Sequence, residues 1–159
     1  MLIGLMSDTH DRMPAIRAAL DLFHKRNVDM VIHAGDVVAP FAARLLADYP
    51  GQVHVLYGNN DGERRGLKQV LPQIQDGPLW LDLAGHRVLV HHYLQWCSAA
   101  DLARADVVIS GHTHECVVEE RDGRLLVNPG ECCGWITGHC RVALLELETH
   151  EVESIEVLP

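Results

Sequence analysis

Basic residues are the first shortage in this chain. Lys and Arg number 13 against 22 Asp and Glu, a formal charge of −9. Binders of duplex or single-stranded DNA normally present a basic face, so this balance speaks against nucleic acid as a partner. A small anionic substrate stays open, because bound metal ions can reverse the field locally. Long apolar runs are missing too. No stretch approaches the ~20 residues that span a bilayer, and Met1 leads straight into the short run Leu2 to Met6 without the basic start of a secretory signal. No membrane partner is expected, and a cytoplasmic location is. The cysteines, Cys97, Cys116, Cys132, Cys133 and Cys140, include no CxxC pair. That spacing speaks against a structural zinc knuckle and favours buried free thiols in a reducing compartment.

Low-complexity linkers and internal repeats are also absent. A single domain over residues 1–159 is expected, with 48% hydrophobic residues and a mean hydropathy of +0.02. Its first half alternates. Short apolar strands at 2–6, 28–33 and 52–57 are each followed by helical spacing, at 14–26, 40–48 and about 63–74, with Asp11 as a candidate cap for the first helix. Such β-α repeats predict a right-handed parallel arrangement covered by helices. In the second half, 79–83 and 87–91 flank a hairpin turn, and a short helix near 98–104 precedes a strand at 106–110. Asp122-Gly123 marks a second hairpin, and 141–147 with 151–157 a closing one. The expected class is α/β, with two mixed sheets packed face to face and helices outside.

What the chain does have is histidine, 11 in all, together with a consistent placement of polar groups. After LIGLM comes Ser7-Asp8-Thr9-His10, and after MVIHA comes Gly35-Asp36. After VHVLY comes Gly58-Asn59-Asn60-Asp61, after RVLV come His91-His92, and after DVVIS comes Gly111-His112-Thr113-His114. Ligands of open α/β sheets bind at the carboxyl ends of the strands, so residues scattered along the chain would converge there. Imidazole, carboxylate and amide oxygen together suit manganese, iron, nickel, cobalt or zinc without a thiolate. Seven donors exceed one tetrahedral site. They fit two ions of four ligands each with one ligand shared, and Asp36 has the two oxygens to be shared.

This series, Asp8-x-His10, Gly35-Asp36, Gly58-Asn59-x-Asp61, His91 and Gly111-His112-x-His114, resembles the motifs of the calcineurin-like metallophosphoesterase superfamily. The short length and "VNPGE" at 127–131 resemble its small YfcE-like phosphodiesterase branch. The resemblance implies a four-layer αββα sandwich and a dinuclear site. Asp8, His10, Asp36 and His114 would hold one divalent ion, and Asp36, Asn59, His91 and His112 the other. Manganese heads the expected metals, with nickel, iron, cobalt and zinc as alternatives. His91 is the expected donor because it continues RVLV, and His92 is the alternative. Asp36, Asn59 and Asp61 form the expected catalytic set, with Asp61 orienting the loop or a ligand histidine.

The implied reaction is hydrolysis of a small phosphate ester by a metal-bound hydroxide, since metal binding lowers the pKa of water from about 15.7 to about 7. A diester is expected. A monoesterase and a non-catalytic scaffold, like a eukaryotic trafficking subunit of this fold, are the alternatives. Many nuclease and phosphatase relatives carry a histidine at the position of Asn60, where it serves as general acid. An amide cannot do so, and a preference for good leaving groups follows. Glu131 with two cysteines departs from the serine that often follows Asn-Pro-Gly. His33 is expected to be a satisfied core or supporting histidine. Nothing in the sequence marks an interface, although family members of this size often self-associate.

Overall fold

β-branched and leucine-rich runs form ten strands in two five-stranded sheets. The structure, a computed structural model, describes residues 1–158. In the first sheet β1 (Leu2–Met6), β2 (Met30–His33) and β3 (Gln52–Val55) run parallel. β9 (Cys140–Glu146) joins β1 antiparallel, and β10 (Glu151–Leu158) forms the edge. The second sheet has β4 (Leu79–Leu83) antiparallel to β5 (His86–Val90). β5, β6 (Val107–Ile109) and β8 (Arg124–Pro129) are parallel, and β7 (Cys116–Arg121) is paired to β8 through the Asp122-Gly123 turn.

Alternation along each strand assigns the layers. Ile3 and Leu5 of β1 meet Val88 and Val90 of β5, Val107 and Ile109 of β6, and Leu125 and Val127 of β8 in an apolar slab between the sheets. The opposite faces carry helices. α1 (Met13–Lys25), α2 (Pro40–Ala47) and α3 (Arg64–Val70) cover the first sheet, where Met6 and Val31 pack with Ile16, Phe23 and Leu46. α4 (Ala99–Arg104) covers the second, with Leu102 against Leu89, Val108 and Leu126. The order helix, sheet, sheet, helix is the four-layer sandwich expected from the motif series. Phe23 is fully buried, and truncating such a side chain to Ala costs roughly 3–5 kcal/mol.

Helix starts follow local chemistry. Pro14 and Pro40 sit in the first turns of α1 and α2, where a missing N–H does no harm. Glu63 and Ser98 cap α3 and α4 by accepting from Gly66 N and Asp101 N. Asp11 does not cap α1: Arg12 holds that position without a side-chain bond, and the Asp11 carboxylate accepts from Ala39 N at 2.9 Å. It ties the first strand-end loop to the second.

The registers bring strand ends level. Met6 lies beside His33 and His33 beside Val55, while Val90 lies beside Ile109 and Ile109 beside Val127. All six strands are members of parallel pairs, so their polar loops leave the sandwich along one edge.

Candidate metal centre

The loops at this edge are fastened to one another before any side chain is considered. Asp8 N donates to Gly35 O at 3.0 Å, His10 N to Asp36 O at 3.1 Å, Gly111 N to His92 O at 3.1 Å and Cys133 N to Asp8 O at 3.1 Å. The backbone there is unusual. Asp8, His10, Asp36, His112 and His114 all have positive φ, as does the β-branched Val38 at 84°. L-residues pay for this conformation sterically, about 1–2 kcal/mol each, and strain of this kind persists only where surrounding structure enforces it. Two glycines explain themselves here. A Cβ on Gly58 would lie 2.1 Å from Asp36 Oδ1, and one on Gly111 would lie 2.0 Å from Ser7 Oγ.

His33 supplies part of the fastening. Its Nδ1 accepts from Gly35 N at 3.1 Å, which puts the proton on Nε2, and Nε2 meets Thr9 Oγ1 at 3.0 Å. Thr9 Oγ1 in turn donates to Asp36 O. Complete burial pushes His33 down to about 3, so the ring stays neutral. It holds the Asp8 and Asp36 loops together, as its buried strand position suggested.

The side chains then converge. Asp36 Oδ2 is 3.6 Å from His10 Nε2 and 3.5 Å from His92 Nε2, and His114 Nε2 is 3.6 Å from Asp8 Oδ1. Asn59 Oδ1 stands 3.0 Å from both His92 Nε2 and His112 Nδ1. One carboxylate oxygen therefore sits between two groups of donors. The His10 and His114 rings stack at 5.2 Å.

His91, the expected donor, does not face this cluster, whereas its neighbour His92, the alternative, does. Val88 and Val90 point between the sheets and Leu89 points outward, and continuing that alternation turns His91 out and His92 in. His91 instead accepts from Tyr93 N at 3.0 Å and packs edge-on to Trp96. Asp61 does not face the donors either. Its oxygens accept from the backbone N–H groups of Asp36, Val38 and Gly58 at 3.0, 2.6 and 2.7 Å, so it fixes the loops. Asn60 donates from N and Nδ2 to the two oxygens of Asp36, each at 2.8 Å.

Glu131 is the residue whose role the sequence concealed. It is fully buried, and its Oε2 accepts a hydrogen bond from His114 Nδ1 at 2.8 Å. Its carboxylate also accepts from Cys133 Sγ, from the backbone N–H groups of Trp135, Ile136 and Thr137, and from Thr137 Oγ1. Burial alone would raise its pKa, but these donors outweigh it and hold the group down at about 2. A carboxylate behind a ligating histidine fixes the tautomer and raises ligand basicity. Here it leaves the His114 Nε2 lone pair directed at Asp8.

The donor set fits divalent cations. His92 Nδ1 lies 2.9 Å from Ala34 O and donates to it, which aims Nε2 at Asn59 Oδ1 and Asp36 Oδ2, at 3.0 and 3.5 Å. His10 Nε2 is buried without a protein partner, and ligand atoms of Asp8, His10 and Asp36 lie within 4.8 Å of one another. Burial raises the pKa of Asp8 from its ordinary value. For Asp36 burial acts the same way, but hydrogen bonds from His92 and Asn60 outweigh it and hold the group well below the usual carboxylate range. His92 shows the complement: burial opposes its charge, and contact with Asp36 raises it.

Arg64 and His139 are paired outside the donor cluster. Arg64 pairs with Asp76 at 2.8 Å and lies over the Tyr57 ring, and His139 pairs with Glu156 at 3.1 Å. Trp135 Nε1 reaches His10 O at 3.4 Å.

Residues 1–150 match the calcineurin-like phosphoesterase superfamily domain. A phosphodiesterase of Methanocaldococcus jannaschii is 40% identical over 163 residues, covering 98% of this chain and 98% of that protein. The solved structure of an archaeal phosphodiesterase superposes with a TM-score of 0.86 at 40% identity, over 98% of this chain and 99% of the other. YfcE, a phosphoesterase from E. coli, shares the fold with a TM-score of 0.78 at 20% identity, over 99% of this chain and 100% of its own.

Proposed function

The chain belongs to the calcineurin-like phosphoesterase superfamily, and from that premise we propose that it cleaves a small phosphodiester at a dinuclear metal centre. Membership makes it a hydrolase of phosphoric ester bonds that works with divalent metal ions. The finer reading rests on one observation: Asp36 Oδ2 lies within reach of both His10 Nε2 and His92 Nε2, at 3.6 and 3.5 Å. Asp8, His10, Asp36 and His114 would hold one ion, and Asp36, Asn59, His92 and His112 the other. The donors are oxygen and imidazole nitrogen, a set that manganese suits, with nickel, iron, cobalt and zinc also served.

Bound divalent ions supply a nucleophilic water at neutral pH and neutralise charge on the phosphoryl oxygens. The chain's own part is positioning. Asp36 spans the two donor groups, its orientation set by Asn60, while Asp61 clamps the loops that carry Asp36 and Asn59. Glu131 directs His114, and Ala34 O directs His92. No titrating group stands at position 60, so the leaving oxygen departs without a histidine acid from that loop.

The relative named a phosphodiesterase supports diesters over monoesters. Net charge of −9 favours a small substrate over a polynucleotide. Among the described residues no helix is long and apolar enough to cross a membrane.

The test is to strip the protein of metal, reload it with single divalent ions, and assay matched phosphate mono- and diesters. Activity on diesters with about two ions bound per chain is expected. Absence of activity with every ion would refute the enzymatic reading, and full activity with one ion per chain would refute the dinuclear one.

A further inference from the structure

Beside the donor cluster lies a cavity of about 410 Å³ that shares Asn59 and His92 with it. Its walls are aromatic in a chain with few aromatic residues. Tyr93 stacks on Trp96 with centroids 4.0 Å apart and an interplanar angle of 24°, and its ring also lies 4.1 Å from that of His112. The three rings make a series running outward from the donors, with Trp96 still 66% exposed. Tyr57 lines the same cavity, with the Arg64 guanidinium 4.2 Å over its ring.

The polar groups around these rings suit a heteroaromatic ligand better than an alkyl chain. The Asp76 carboxylate, held by Arg64 at 2.8 Å, lines the cavity and can accept an N–H. His91 lines it too, and because Nδ1 accepts from Tyr93 N its proton sits on Nε2 as a donor. An acceptor and a donor beside stacked rings match the edge and face of a nucleobase. His91, which the donor cluster does not use, thus has a place in the pocket.

We propose that this cavity is a base-binding subsite, and that the substrate is a small nucleotide diester whose base stacks at Trp96 while its phosphodiester reaches Asn59 and His92. The proposal rests on the phosphodiesterase reading above and deepens it. Phosphate binding alone would not need this wall. The acidic surface that disfavours long nucleic acids is compatible with a mono- or dinucleotide.

Two measurements separate the subsite from the chemistry. The first compares thymidine 5′-(p-nitrophenyl phosphate) with methyl p-nitrophenyl phosphate, which share a leaving group, on the metal-loaded full chain. The thymidine compound is expected to have the higher kcat/KM by about tenfold or more, mainly through KM, in line with base–aromatic stacking. Trp96→Ala, at an exposed position, should bring the two substrates close to parity. The second follows tryptophan fluorescence while thymidine 5′-monophosphate, ribose 5-phosphate or phenyl phosphate is added to metal-free protein. Saturable quenching by the nucleotide, weaker with phenyl phosphate, absent with ribose 5-phosphate and lost in Trp96→Phe after equal concentrations, supports the subsite. Equal hydrolysis of both diesters with no saturable quenching overturns the subsite and leaves the hydrolase reading standing. Quenching without hydrolysis of any diester overturns the hydrolase reading and leaves a base-binding pocket.

Discussion

The two halves of the donor cluster are secured by different means. Asp8, His10, Asp36 and His114 are backed from behind: His114 by the buried Glu131, Asp36 by Asn60, and the loops by Thr9 and His33. Asn59, His92 and His112 rest on less. His92 has Ala34 O behind it, but Asn59 is exposed, and the contact of His112 Nδ1 is with another donor, Asn59 Oδ1. The first half is a socket held by buried charge. The second is half-open and continues into the aromatic cavity. A cation in the first half should bind more tightly, and one in the second should exchange more readily and meet the substrate.

Asp36 belongs to both halves, so Asp36→Ala should have the largest effect. A loss of at least about three orders of magnitude in kcat/KM is expected, about 4 kcal/mol of transition-state stabilisation, together with a fall in bound metal. A fully active variant would sink the bridging role. Next come the adjacent histidines. His92→Ala should weaken the more loosely bound ion by more than about a hundredfold, beyond the 10–100-fold typical of losing a backing residue, whereas His91→Ala should keep both ions, as metal analysis after dialysis would show. The reverse pattern would restore the assignment made from the strand alone.

Glu131→Gln should lower affinity at the tighter site by about 10–100-fold and spare the weaker one, which a competitive chelator titration would resolve. An effect shared equally by both sites would erase the contrast. The same residue carries a pH signature in metal-free protein. Its pKa falls from 4.5 to about 2 on folding, so its stabilising contribution is complete above 4.5 and is lost as pH drops toward 2. Urea melts of the metal-free protein should lose stability over that interval, and Glu131→Gln should flatten the dependence. The smallest effect is expected from Asn60→His. A histidine there should speed hydrolysis of poor-leaving-group diesters by about tenfold, below the 10²–10⁴ of an evolved general acid. An unchanged rate would mean that the leaving group needs no proton at that point.

Much of this molecule was legible in its sequence, because the layers and the edge follow from period and punctuation. Strands such as LIGLM and RVLV, each ended by Asp, Asn or His, carried both the fold class and the convergence of Asp8, His10, Asp36, Asn59, His112 and His114. The inward turn of His92 is legible too, from strand parity: Val88 and Val90 point between the sheets, and His92 continues their alternation toward Asp36. Glu131 is not. It acts on backbone N–H groups brought near by loop conformation, and loop conformation leaves no periodic trace in sequence. Glu131 receives several of its bonds from residues four to six positions ahead, a local wrap that a lone acidic residue between glycine and cysteine does not announce.

The left-handed backbone at Asp8, Asp36, His112 and His114 has a consequence in time. These conformations are held by bonds between loops, such as Asp8 N to Gly35 O and His10 N to Asp36 O, so the polypeptide itself takes part in fixing the donors. Loading should then proceed at the pace of ion dehydration and diffusion, and stopped-flow metal uptake with a rate independent of any slow protein phase is the expected outcome.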